Sequence, residues 1–128
     1  MKFVVPKCDL TFEISEDWWV LAGMVGYTTE LQHYNTNSTY KEISSIQEII
    51  PPLRKGGIIW FRDRDTVIEL LQGMRNNEKI PPIEVSCEQK KLKVHDGFHR
   101  FYLSIALGYT NIPIKEAFDF ETFFANEN

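Results

Sequence analysis

Read for the spacing of apolar and polar positions, the chain divides into short elements separated by turn residues. Phe3 to Val5 and Leu10 to Ile14 are apolar enough for strands, and the second alternates as Leu10, Phe12, Ile14, the period of a half-buried strand. Ser15 occupies an N-cap position ahead of a short helix carrying Trp18, Trp19, Leu21, Ala22 and Val25. Thr28 to Thr39 is polar and reads as a loop. Tyr40 to Ile46 can form a strand, and Pro51-Pro52 stops whatever follows it, because proline fixes its own φ and biases its predecessor away from helix.

The pattern sharpens in the second half. Asp63 or Asp65 can cap a helix whose Val67, Leu70, Leu71 and Met74 recur at i, i+3, i+4 and i+7, with Asn76 and Asn77 ending it. Pro81-Pro82 introduces a strand from Ile83 to Val85, a charged turn covers Glu88 to Lys91, and Leu92 to Val94 returns as the hairpin partner. After Gly97, residues Phe98, Phe101, Tyr102, Ile105 and Ala106 form a helical stripe widened by Leu103 and Leu107, and Gly108 is a natural stop. Ile112 to Ile114 is a further strand. A last short helix is capped by Asp119, with Phe118 and Phe123 as its hydrophobic staple. The sum is an α+β fold with a small mixed sheet and three or four helices.

A length of 128 residues with 43% hydrophobic content supports one core, so a single domain over 1–128 is expected. The net charge of −4 argues against wholesale binding to polyanions. The charge is uneven: residues 41–100 carry 11 Lys or Arg against 9 Asp or Glu, so phosphate chemistry belongs in the middle of the chain. Cys8 and Cys87 offer no metal spacing. With no secretory signal and no apolar run near 18 residues, the expectation is a cytoplasmic protein with free thiols and no membrane contact.

The most informative stretch is LKVHDGFHRFYLSIALGY, residues 92–109, in which an apolar strand breaks on Asp96-Gly97 and resumes as a helix opening with Phe98, His99 and Arg100. The first N–H groups of a helix have no partner within it, and with the helix dipole they favour an anion. Gly97 permits a sharp bend and close approach to the backbone. His99 and Arg100 add donors, and a guanidinium fork suits phosphate oxygens. Asp96 can cap the helix, orient Arg100 or hold a divalent cation. The bland alternative is a turn and a cap, with His99 at the surface and Arg100 paired to a carboxylate such as Glu69 or Glu116.

The run I-P-P-I-E-V (80–85), a hairpin, D-G-F-H-R-F (96–101), A-L-G-Y (106–109) and N-I-P-I (111–114) resembles the ParB/sulfiredoxin-like superfamily. EISSIQEIIPPLR (42–54) and the helix from Thr66 to Asn76 resemble that fold's opening strand and following helix. The resemblance covers a core of residues 41–116 and leaves 1–40 as an N-terminal extension of unknown role. In that superfamily the equivalent turn, GCHR in sulfiredoxins and DGHHR in free-serine kinases, binds nucleotide phosphates. The resemblance therefore implies ligand contacts from Gly97, Phe98, His99 and Arg100. It also puts Arg54 and Lys55, just after the first strand, where the family contacts the nucleotide or a second substrate.

The departures are chemical. Phe98 replaces the sulfiredoxin cysteine, and an apolar ring cannot act as the nucleophile. Leu53 falls where the free-serine kinases carry an essential acid, leaving Glu48 or Glu42 as nearby substitutes for a base. The arginine-rich box and helix-turn-helix domain of the chromosome-partition proteins have no counterpart. Three functions stay open. One is a nucleotide-binding protein, ATP or CTP with Mg²⁺, that transfers or hydrolyses a phosphoryl group using Asp96 as metal ligand or base. The second is a DNA-binding or nuclease-like module. The third is a silent interaction domain docking a protein partner through Trp18-Trp19, a pair whose rings also suit base stacking.

Overall fold

A computed structural model of the protein describes residues 1–37 and 42–117. The first two strands, β1 (Lys2–Val4) and β2 (Thr11–Glu13), pair antiparallel as a separate two-stranded sheet. The alternation holds: Phe12 is buried, while Thr11 and Glu13 face outward. Helix α1 (Glu16–Leu21) follows with Ser15 at the N-cap position, but the Ser15 side chain makes no capping bond. The expected stripe is corrected at its far end. The helix stops at Leu21, and the bend that follows carries Met24 into the core, so Leu21 and Val25 are left 53% and 71% exposed.

The main sheet has five strands in the order β3-β7-β5-β6-β4: β3 (Glu42–Ser45), β4 (Ile49–Ile50), β5 (Ile83–Glu88), β6 (Lys91–Asp96) and β7 (Asn111–Glu116). Its outer strands are consecutive in sequence, and that forces it to curl. In a flat sheet β3 and β4 would lie four spacings apart, about 19 Å. The chain from Ser45 to Ile49 spans at most about 14 Å when fully extended, and Ile46–Glu48 is coiled into a 3₁₀ turn whose first amide donor, Gln47 N–H, is taken by the Ser45 hydroxyl. That turn ends the strand anticipated over Tyr40 to Ile46 at Ser45; Tyr40 itself lies outside the described residues, as does the helix expected at Asp119 with its Phe118–Phe123 staple.

Helix α2 (Arg64–Arg75) is capped by Asp63 rather than Asp65: one Asp63 oxygen accepts from the amides of Asp65 and Thr66 at 3.0 and 3.3 Å, and the other from the Thr66 hydroxyl at 2.8 Å. Val67, Leu71 and Met74 point inward, with Leu70 half-buried. The β5–β6 hairpin turns on Gln89 and Lys90, both with positive φ, as a two-residue hairpin turn requires. Helix α3 (Phe98–Ala106) buries Phe101, Tyr102 and Leu103.

The core is continuous across the boundary at residue 40. Val5, Phe12, Ile14, Met24 and Tyr34 belong to the same buried cluster as the sheet and helix residues. Phe12 sits 5.1 Å from the Tyr102 ring, and the Tyr34 hydroxyl donates to Pro81 O at 2.8 Å. The first 37 residues are thus structural, whatever else they do. Cys8 and Cys87 are free thiols, and no helix among the described residues is long and apolar enough to cross a membrane.

Candidate functional site

The turn between β6 and α3 forms as its sequence implies, with Gly97 at the N-cap position and no side chain capping the helix. Phe101 N–H bonds back to Gly97 O at 2.8 Å, so the amides of Phe98, His99 and Arg100 are the orphans of the first turn. The reason for glycine is steric. Gly97 has φ of +126°, and a Cβ there would stand 3.1 Å from both Ile83 γ-carbons. Its side-chain face is filled by Ile83 and is not open for an anion.

The Arg100 guanidinium is committed to acceptors within the protein. Its Nη1 donates to Pro81 O at 3.0 Å and Pro82 O at 2.7 Å, its Nη2 lies 3.3 Å from Asp96 Oδ2, and its side chain is 14% exposed. The expected phosphate ligand is instead a clamp from the first turn of α3 onto the Pro81-Pro82 segment before β5. Asp96 takes the orienting role among its three alternatives, since its carboxylate pairs with Arg100. Among the described residues no group of three or more His, Cys, Asp or Glu side chains is placed to hold a metal ion.

Glu48 is likewise not brought to the turn. Glu48 ends the 3₁₀ turn just before β4, which runs parallel to β6 with Ile49 level with Leu92. Four residues of β6 separate the Leu92 level from Asp96, about 13 Å of strand, and Glu48 lies before that level. The structure does not bring it to the Asp96-Gly97 turn.

The same register delivers a different cation. From Ile50, level with Lys93, the chain continues beside β6 toward the α3 N-terminus, and the Tyr102 hydroxyl holds it there by donating to Pro52 O. Two residues on, the Arg54 guanidinium lies over the Phe98 ring, Cζ 4.0 Å from the centroid, a cation–π contact at the opening of α3. Its Nε donates to Trp60 O at 3.3 Å, and its terminal nitrogens make no hydrogen bond to an acceptor among the described residues. Arg54 O accepts from Gly57 N–H at 2.9 Å, closing a turn that leaves Lys55 exposed.

His99 packs its ring 5.6 Å from Phe61 and 5.8 Å from Phe98. Its Nε2 is buried without a hydrogen-bond partner among the described residues. Burial, aided by the positive charge of Arg54 and Arg100, holds its pKa below the usual imidazole value, and Asp63 pulls in the opposite direction. Asp63 is itself held below the usual carboxylate range, first by the Thr66 hydroxyl and amide, so it is an ionised, hydrogen-bonded cap and a poor base.

Three participants had no sequence assignment: Trp60, Phe61 and Asp63 in this role. Arg62 lies 5.0 Å over the Trp60 ring, and Arg64 pairs with Asp65 at 3.8 Å. Trp60 therefore has both Arg54 and Arg62 against it. The alternation Trp60-Phe61-Arg62-Asp63-Arg64 was the available signal. A groove of about 440 Å³ runs between the 59–61 segment and the N-terminal hairpin, lined in part by Lys2, Phe12, Glu13, Trp18, Trp60 and Phe61. Trp18 reaches this groove, whereas Trp19 packs 5.8 Å from Phe3. Neither protein-family models nor curated proteins yield a match to this chain.

Proposed function

We propose that this protein binds a phosphate-bearing ligand, a nucleotide, on a ParB/sulfiredoxin-like scaffold, with Arg54, His99 and the first-turn amides of α3 as the anion-binding elements. The observation that carries the reading is Arg54. A guanidinium stacked on Phe98 at an uncapped helix N-terminus, with its terminal donors uncommitted, is placed for phosphate oxygens. His99 supports it, since a buried ring nitrogen without a partner gains one from a phosphate. Phe98 serves as the platform for Arg54, and Lys55 stands at the rim.

Binding is favoured over turnover. Glu48 is remote, Asp96 is paired with Arg100, and Asp63 is committed to capping α2. Mg²⁺, ATP and CTP remain candidate ligands in this reading, with the cation carried by the nucleotide's own phosphates. The test is a thermal-shift and calorimetric titration of the full chain with nucleoside triphosphates and with tripolyphosphate, each with and without Mg²⁺. Arg54→Ala is expected to weaken binding at least tenfold without changing the fold. Equal affinity in that variant overturns the reading.

A second reading is favoured by a separate observation: Val20, Leu21 and Val25 are each more than half exposed. An apolar surface of this kind suits a protein partner, docked by the outer side of α1 rather than by the Trp18-Trp19 rings, which are half-buried. Leu21→Lys abolishing a complex that Arg54→Ala leaves intact would favour it.

A further inference from the structure

We propose that the groove beside Phe61 is the seat of a guanine ring, so that the nucleotide bound at Arg54 and His99 is a guanine nucleotide; the inference rests on the anion-binding reading above. The groove and the α3 turn share one wall. Phe61 lines the groove and places its ring 6.0 Å from Phe98 and 5.6 Å from His99, while Trp60 lines it and is flanked by Arg54 and Arg62. A ligand that extends past Trp60 would meet the two guanidinium groups packed against that ring. Its volume of about 440 Å³ falls in the range of roughly 300–1,000 Å³ typical of small-molecule sites.

The lining sets the ligand's chemistry. Trp18, Trp60 and Phe61 give the lining an aromatic character suited to a planar heteroaromatic ring. Beyond them, Lys2 and Glu13 come from directly opposed positions of β1 and β2, and among the described residues neither side chain has an ion-pair partner. An ionised carboxylate only accepts, through two oxygens, and an ammonium only donates. Guanine presents two adjacent donors, N1–H and the N2 amino group, beside one acceptor, O6. Set against Glu13 and Lys2 these match without a repulsive contact. Adenine and cytosine place a ring-nitrogen lone pair next to their single amino group, against the carboxylate, and uracil flanks its one N–H with carbonyls. The groove offers its carboxylate and ammonium to the base, and the guanidinium groups of Arg54 and Arg62 stand outside the lining, against Trp60, for the phosphates. This gives the N-terminal residues, outside the resemblance, a role in ligand choice.

The test uses tryptophan fluorescence and calorimetry on the full chain, with GTP, ATP, CTP, UTP, guanosine and tripolyphosphate as probes. GTP is expected to bind at least tenfold tighter than the other triphosphates and to quench emission. Glu13→Gln should remove most of that preference while leaving tripolyphosphate affinity unchanged. Trp60→Phe, which keeps a ring in place, should retain GTP preference with reduced quenching. Triphosphates binding alike, with Glu13→Gln silent, overturn the base assignment while the anion site stands. Guanosine binding without any tripolyphosphate binding upholds the groove and removes the anion reading. No binding of guanosine, GTP or tripolyphosphate removes both.

Discussion

Replacing Arg100 by alanine separates a structural arginine from a ligand-binding one. In the folded chain its guanidinium makes two charge-assisted bonds to main-chain carbonyls and one pairing with Asp96. These are not equal. Pro81 O also receives the Tyr34 hydroxyl, so losing Arg100 leaves that carbonyl satisfied. The Asp96 side chain is 69% exposed, and a pair of that kind contributes under about 1 kcal/mol. The bond to Pro82 O, in a buried residue, carries most of the effect at about 2 kcal/mol, because the carbonyl is left without a donor. The total is about 3 kcal/mol. With an unfolding entropy of about 2 cal/mol/K per residue, a chain of 128 residues loses roughly 10 °C in Tm. Differential scanning calorimetry of Arg100→Ala and Arg54→Ala side by side measures it. Arg54, bonded through one nitrogen and stacked on a half-buried ring, should cost no more than about 1 kcal/mol. An Arg100→Ala protein melting within about 2 °C of the parent and failing to bind nucleotide would refute the clamp and return Arg100 to the anion site.

Three further outcomes follow from the same geometry. Gly97→Ala forces a side chain into left-handed backbone and 3.1 Å from Ile83, so chemical denaturation should show a loss above about 2 kcal/mol. A Gly97→Ala protein as stable as the parent would mean the turn is not held by that packing. Because the folded chain keeps His99 below its ordinary value, the unfolded chain takes up a proton there first as pH falls past about 6.5. Stability should therefore decline on acidification from that point until His99 titrates in the folded state. His99→Gln should remove that component from the stability–pH curve, and a phosphate ligand, by favouring the imidazolium, should bind more tightly at pH 6 than at pH 8. Tyr102→Phe deletes the hydroxyl that holds Pro52 O; an equilibrium melt should register about 1–2 kcal/mol, with a parallel loss of ligand affinity as Arg54 is released from Phe98.

What the sequence discloses here is local. The Asp63 cap with Val67, Leu71 and Met74 at helical spacing, the alternation around Phe12, and the Gly97 break before Phe101 and Tyr102 each reside within a dozen residues, and each formed as expected. The partners of Arg100 were hidden for a chemical reason. A search for a guanidinium's counterpart looks for carboxylates, and Glu69 or Glu116 were the natural candidates, yet two of its three acceptors are main-chain carbonyls 18 and 19 residues upstream. Every residue has a carbonyl, so no side-chain pattern marks the two that matter. The two-residue strand at Ile49–Ile50 was hidden too, since its pairing with β6 is a contact across more than 40 positions with no periodicity of its own. That pairing decides the site. With Ile50 level with Lys93, the chain leaves β4 four residues before Arg54 while β6 runs on three residues to Asp96, and the loop cation arrives over Phe98 at the opening of α3. The DGFHR motif locates the helix opening, and the parallel register determines which arginine serves it. A substitution that shifts β4 by one residue should therefore impair ligand binding as severely as removing Arg54 itself.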